Sequence, residues 1–263
     1  VITAGVLVQG HSSSSGVPAV SGPVLRSLTV DAAVTELAEG SETVPEVRGV
    51  YSDGRVRELF SGVVWHVSAP GVLGVRGQTL VAGKEGTARV TAEAGGKRSA
   101  PVTVTVYKEI NGHRLPPEPD PKVNNATLLG VDVNHNDVRD DVERWIYEHY
   151  KDKHPIHIDI AMQAARAKQH MLRNPDKAKL IHDEMVAPLI CESYYRIYAK
   201  YFDEKIIVHE KINTKVFRNL ILNTSNRQKA YAEYDALLSG DIYKTPKVDR
   251  NMSSYCDFNT SIY

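Results

Sequence analysis

The sequence predicts a multidomain protein of the all-β plus all-α class, a β-sandwich followed by a helical bundle. Three observations carry that expectation: apolar and polar residues alternate with period two over 24–106, prolines break the pattern after Tyr107, and a period of 3.6 residues follows. The chain of 263 residues, 42% apolar and 24% charged, is long enough for two ordinary domains, each with its own core.

Charge narrows the partners. The 32 basic residues balance the 32 acidic ones, and residues 1–107 alone carry nine of each. Nucleic acid and anionic membrane surfaces are captured through excess Lys and Arg, so neither is an expected partner. Residues 1–23 read as a leader. The apolar run at 1–8 in VITAGVLVQGHSSSSG is too short for a membrane span, which needs about 20 residues. It predicts instead the tail of a signal-peptide core, with Gly10 and the Ser-rich spacer as a processing site. LVQG followed by a polar tether resembles the end of a bacterial lipoprotein signal, but His11 stands where that signal has its lipidated cysteine. The expectation is export to the periplasm, outer membrane or cell surface. Any membrane association would run through an N-terminal signal or anchor, not a transmembrane span.

The β half comes next. LRSLTV (25–30), VRGVY (47–51), GVVWHV (62–67), TARVTAEA (87–94) and PVTVTV (101–106) alternate with period two, separated by SDG, APG, AGKEG and AGGK turns. Spacing of this kind predicts six to eight strands in a sandwich. YSDG at 51–54, VVWHVSAPGVLGV at 63–75, VAGKEGTARVTA at 81–92 and the closing VTVTV together resemble a bacterial Ig-like domain of group 2 over 24–107. The resemblance implies that Trp65 packs in the core and that Gly83 and Gly86 shape a turn between strands. It also implies a spacer or adhesive module on extracytoplasmic proteins, with no chemistry of its own.

Residues 108–125 contain Pro116, Pro117, Pro119 and Pro121. Proline fixes φ and withholds a hydrogen-bond donor, so this segment is expected to be an extended, semi-rigid linker. Beyond it, 126–263 reads as helical. Val138, Val142, Trp145 and Ile146 mark one helix face, and Ile160, Ala164, Met171 and Leu172 a second. A third runs from Ile181 to Tyr201, bent or divided at Pro188; Val216 to Ile221 suggest a fourth, and Tyr231 to Leu238 a fifth that stops at Gly240. The tail from Ile242 returns towards the bundle.

The stretch VDVNHNDVRDDVER opens that domain. Counting from Asp132, oxygen-bearing side chains fall at positions one (Asp132), three (Asn134), five (Asn136), nine (Asp140) and twelve (Glu143), and the Val138 carbonyl stands at seven. A twelve-residue loop with this spacing wraps six or seven oxygens around Ca²⁺, and hard oxygen donors suit Ca²⁺ over Zn²⁺. Position six, where such loops need Gly, is Asp137; position eight, normally aliphatic so that two loops can pair, is Arg139. A single unpaired loop is therefore expected, with a dissociation constant on the order of 10⁻⁴ to 10⁻³ M. The competing reading is a polar turn in which Asn136 or Asp137 merely caps a helix with an acidic first turn. TLLGVDVNHNDVRDDVERWI, NTSNRQKAYAEYDALLSG and YCDF also resemble a helical domain of uncharacterised function in exported proteobacterial proteins, which brings no known activity.

Cys191 and Cys256, with 64 residues between them, are the only cysteines; in an exported chain an even count favours a disulfide over two unrelated buried thiols. Other groupings are weaker. His154 and His157 flank Pro155 and could touch a metal with His149 or Asp159, but ten histidines in the chain make such neighbours common, and His209–Glu210 is no HExxH pair. No GxSxG or Walker-type loop occurs. Tyr194, Tyr195, Tyr198 and Tyr201 form a helical stripe, read first as core and second as a stacking surface. The leading functional expectation is a non-enzymatic envelope or surface protein whose Ig-like spacer presents a calcium-stabilised helical domain to a protein partner or an envelope polymer. The alternatives are an enzyme acting on envelope polymer and a periplasmic inhibitor or immunity-type binder.

Overall fold

Period-two alternation becomes strand at each segment the sequence marks. The computed structural model describes residues 22–31, 35–202, 204–212, 214–243 and 247–263; the leader, with Gly10 and His11, lies outside the described residues. The first half comprises β1 (Leu25–Val30), β2 (Glu36–Ala38), β3 (Glu42–Thr43), β4 (Val47–Tyr51), β5 (Val56–Glu58), β6 (Val64–Val67), β7 (Leu73–Arg76), β8 (Thr79–Ala82), β9 (Gly86–Ala94), β10 (Lys97–Arg98) and β11 (Val102–Tyr107). These are more numerous than the expected six to eight, because β2, β3, β5, β7, β8 and β10, of two to four residues each, form outside the alternating runs.

One sheet has the order β1-β4-β5 and another β3-β8-β7. In a third, β9 pairs antiparallel with β11 on one side and β6 on the other, and β2 lies parallel to β11 at the edge. Along β9 the side chains of Ala88, Val90, Ala92 and Ala94 turn inward, which is the pleat expressed as burial. They meet Leu28, Val47, Trp65, Leu73, Leu80 and Val104 in one apolar cluster that all three sheets share. Each fully buried Leu or Val there contributes about 1.5–3 kcal/mol. Gly83 lets the chain pass between β8 and β9 at close quarters, since a Cβ there would lie 2.5 Å from the Gly71 carbonyl oxygen.

The segment expected to be an extended linker is structured instead. A small hairpin pairs β12 (Glu109–Ile110) with β13 (His113–Arg114), and α1 (Pro121–Ala126) follows. Pro121 sits in the first turn, where its missing N–H is not needed, and the Asp120 carboxylate caps the turn by accepting from the amides of Lys122 and Val123. Ile110, Leu115, Pro116, Pro119 and Asn124 are buried, so the connector is anchored at these points while most of its other residues face solvent.

The second half is helical: α2 (Asp140–Tyr150), α3 (Ile156–Arg173), α4 (Ala178–Ser193), α5 (Lys215–Ile221) and α6 (Ser225–Leu238). Thr214 and Thr224 cap α5 and α6 with their hydroxyls. Pro188 does not divide the third predicted helix; α4 runs through it, and regular helix ends later, at a π turn over Tyr194–Tyr198 and a 3₁₀ turn over Ala199–Phe202. Val138, Ile146, Ile156, Met171, Tyr194 and Phe217 belong to the core of this half. The disulfide Cys191–Cys256 is formed, with Cα atoms 5.1 Å apart. It holds the returning tail on α4, and from α3 Gln163 Nε2 donates to the Tyr255 carbonyl at 2.7 Å and Arg166 grips Asp257 with two nitrogens. The protein thus combines a β-rich first half with a helical second half. Among the described residues no helix is long and apolar enough to cross a membrane.

Candidate metal centre

The 132–143 loop starts just beyond Gly130 and runs into the first turn of α2. Gly130 has φ +76, and a Cβ there would lie 2.3 Å from Arg139 Cδ and 2.6 Å from Asn124 Oδ1, so only glycine lets Arg139 pass. Beyond it the chain curls tightly. Asp132 Oδ1 accepts from the Asn136 amide at 3.2 Å and Oδ2 from the Asp137 amide at 3.1 Å, while Asn136 Oδ1 accepts from the Val138 amide at 2.9 Å. His135 and Asp137 take the left-handed conformation, with φ 56 and 61, where Asp is among the few non-glycine residues that settle. At Asp137 this is the sharp turn that a calcium loop requires of position six; at His135 the sequence offers no signal.

This curl brings three of the predicted ligands together. Glu143, 0% exposed, receives Asn134 Nδ2 at 3.0 Å and Asn136 Nδ2 at 2.8 Å on Oε2, and His113 Nε2 at 2.6 Å on Oε1. Burial alone would raise its carboxyl, but the three donors outweigh burial and hold it below the usual range. Asp140, also fully buried, accepts from the Val133 amide at 3.1 and 3.3 Å. Burial pushes Asp140 up to about 6, and the charges of Asp132, Glu143 and Asp141 push the same way against the Val133 bond. Val138 contributes a fully buried side chain that anchors the backbone of position seven.

Two residues around the loop escaped the sequence reading. Arg139 does more than interrupt an aliphatic position: it is 1% exposed and ion-paired to Asp141. Its guanidinium donates to the carbonyls of Leu220 at 2.8 Å and Ile221 at 3.1 Å, satisfying the carboxyl end of α5. Arg227 of α6, 0% exposed, donates to the carbonyls of Asn124, Thr127 and Leu128 and to the side chains of Asn125 and Asn223. Burial lowers its guanidinium to about 10, helped by Arg139 and opposed by Asp141, which leaves it charged at neutral pH.

The donors of the loop are chemically suited to a hard cation. Asp137 pairs with Arg173, Asp141 with Arg139 and Glu143 with His113, whereas Asp132 and Asp140 face backbone N–H groups and no basic side chain among the described residues. Among the described residues no group of three His, Cys, Asp or Glu side chains is gathered as a metal-binding set; the carboxylates are turned onto N–H donors, and two predicted ligands are amides. Turning the Asn134 amide end for end exchanges near-isosteric N and O atoms and puts Oδ1 where Nδ2 now meets Glu143. The same turn at Asn136 sacrifices the bond from Val138.

The other candidate groupings serve the fold. His157 Nδ1 lies 2.9 Å from the His154 carbonyl, His149 stacks on Trp145, and Asp159 accepts from the Tyr263 hydroxyl. Tyr194 and Tyr195 are core residues, whereas Tyr201 points outward. A cleft of about 580 Å³ between α3, α4 and the tail contains His170, Glu184 and Ser254. His170 Nδ1 meets Glu184 at 2.7 and 2.8 Å, but the Ser254 hydroxyl donates to the Asn251 carbonyl at 2.6 Å, so the serine is not held on the imidazole as an activated nucleophile.

No family model matches the chain, and no curated protein matches it. Among solved structures it is similar to domains 4 and 5 of the S-layer protein SbsC, at 21% identity over 32% of this chain and 53% of that one, with a TM-score of 0.26. It is similar also to domains 1–6 of SbsC, at 20% identity over 34% of this chain and 14% of that one, with a TM-score of 0.28. The chain thus spans about half or less of these structures, and similarity at that level says nothing about what it does.

Proposed function

We propose that this chain is a non-enzymatic, exported envelope or surface protein in which an Ig-like β-sandwich presents a calcium-stabilised helical domain to a protein partner. The observation that carries the reading is the curl of 132–143. Its left-handed turn at Asp137 and its buried Glu143 are what an oxygen-lined cation loop needs, and Asp132 and Asp140 stand there without a basic partner among the described residues. Asp132, Asn134, Asn136, Asp140, Glu143 and the Val138 carbonyl would hold the ion. Bound Ca²⁺ would supply positive charge and fixed geometry, joining the start of α2 to the loop before it. The disulfide supports export, since such bonds persist in oxidising compartments. The shared three-sheet core around Trp65 supports an Ig-like reading of the β half.

Thermal unfolding of the whole chain tests the calcium role. With a dissociation constant on the order of 10⁻⁴ M, 10 mM Ca²⁺ stabilises the folded state by about 2.7 kcal/mol. That corresponds to a Tm increase of about 5–10 °C over EGTA. Identical melting in calcium and EGTA would falsify the calcium reading.

A further inference from the structure

We propose that His113, in the connector hairpin, is the positioning residue that couples cation binding in the 132–143 loop to the joint between the two halves of the molecule. The inference rests on the calcium reading. Glu143 is held asymmetrically. Two of its three donors, Asn134 and Asn136, belong to the loop and donate to Oε2. To offer oxygens to an ion both amides turn over, and Glu143 then loses both of those donors. His113 donates to the other oxygen, Oε1, from 30 residues upstream, and its bond does not conflict with an ion on the loop side. Once the loop fills, His113 is the donor left to aim the carboxylate.

The His113 ring is itself firmly placed. It stacks on Tyr147 of α2 with centroids 4.2 Å apart and planes 11° apart, and it pairs with Ile110 across the hairpin. At the hairpin turn Asn111 Nδ2 donates to the Lys151 carbonyl at 2.9 Å, just beyond α2. The next residue, Arg114, reaches the other way: its two terminal nitrogens donate to the Glu36 carboxylate of β2 at 2.8 and 2.9 Å. On the far side of Glu143, Arg144 donates to Glu85 twice at 2.9 Å, to Glu118 at 2.6 Å and to the Pro116 carbonyl at 2.7 Å. Consecutive residues of α2 thus tie the cation loop to the hairpin, through Glu143 and His113, and to the β half and the rest of the connector, through Arg144. Coupling of this kind is reciprocal: whatever orders the connector tightens cation binding, and the cation orders the connector by the same factor.

The test uses the whole chain, titrated calorimetrically with CaCl₂, together with hydrogen exchange of residues 109–115 in EGTA and in calcium. In the wild type, calcium slows exchange in the connector. H113A weakens calcium binding about 10-fold, the lower end of what loss of an outer-shell partner does at metal sites, and removes the calcium-dependent protection of 109–115. H113Q, which keeps a side-chain N–H donor, recovers part of both effects and controls for loss of packing. If the wild type releases no heat with CaCl₂, the calcium reading and this proposal fail together. If the wild type binds calcium and H113A binds it equally well, or if connector exchange ignores calcium, this proposal alone is overturned.

Discussion

Asn136→Asp is the substitution for which the two states of the loop demand opposite outcomes. In the arrangement described, Asn136 Oδ1 accepts from the Val138 amide at 2.9 Å and Nδ2 donates to Glu143 at 2.8 Å. Presenting an oxygen to an ion breaks both bonds and points Nδ2 at the Val138 N–H. The neutral bond is worth about 1 kcal/mol and the carboxylate bond about 1.5–3 kcal/mol. Aspartate removes the conflict, because one oxygen keeps the Val138 bond while the other faces the ion with added negative charge. A gain of about 3 kcal/mol corresponds to roughly 100-fold in affinity. Without the ion, the same carboxylate faces Glu143 with no proton to donate. Loss of the bond and repulsion between like charges lower stability by about 2–4 kcal/mol, or about 5–10 °C in Tm. The assay is thermal unfolding of both proteins in EGTA and in millimolar calcium, with calorimetric titration of each. N136D melts below the wild type in EGTA and closes or reverses the gap in calcium. An equal loss of Tm in both buffers, with no gain in affinity, refutes the reasoning.

Two further outcomes concern the surroundings of the loop, and one the disulfide. Gly130→Ala strains a left-handed backbone and drives a Cβ into Arg139; it lowers stability by about 2–4 kcal/mol, measured by urea unfolding. Arg227→Met strands three carbonyls, those of Asn124, Thr127 and Leu128, at about 1–3 kcal/mol each, and melting falls by about 10 °C or more. An R227M protein that melts with the wild type shows that water replaces the guanidinium. Thiol titration of the unfolded, unreduced chain finds no free thiol, and reduction destabilises it by about 4 kcal/mol in the loop-closure estimate.

What the sequence discloses is local. Alternation along TARVTAEA is the pleat of β9, and the oxygens placed at Asp132, Asn134 and Asn136 foretell a curled loop, because the information lies within a dozen residues. The even cysteine count anticipates the Cys191–Cys256 bond for a chemical reason and not a geometric one. What it conceals is long-range or depends on balance. Arg139 reads only as a break at an aliphatic position until α5, some 80 residues away, brings its open carbonyls to it. The Glu143 partner lies in a proline-rich stretch where composition argues for extended chain, yet Asp120 and Pro121 suit a helix start there as well. At Pro188 the local rule against proline inside a helix is outweighed by a residue that is itself buried within α4.

The Cys191–Cys256 bridge has a mechanical consequence. In a chain pulled by its two ends, tension arriving along α4 crosses from one sulfur to the other and leaves through the last residues. The 64 residues between them, including α5 and α6, lie off the load path. About 220 Å of contour, at ~3.5 Å per residue, is thereby withheld from extension. Under stretching, the β half, the connector and α1 to α4 yield length, while the enclosed helices can lose their packing but cannot be drawn out until the bridge is reduced.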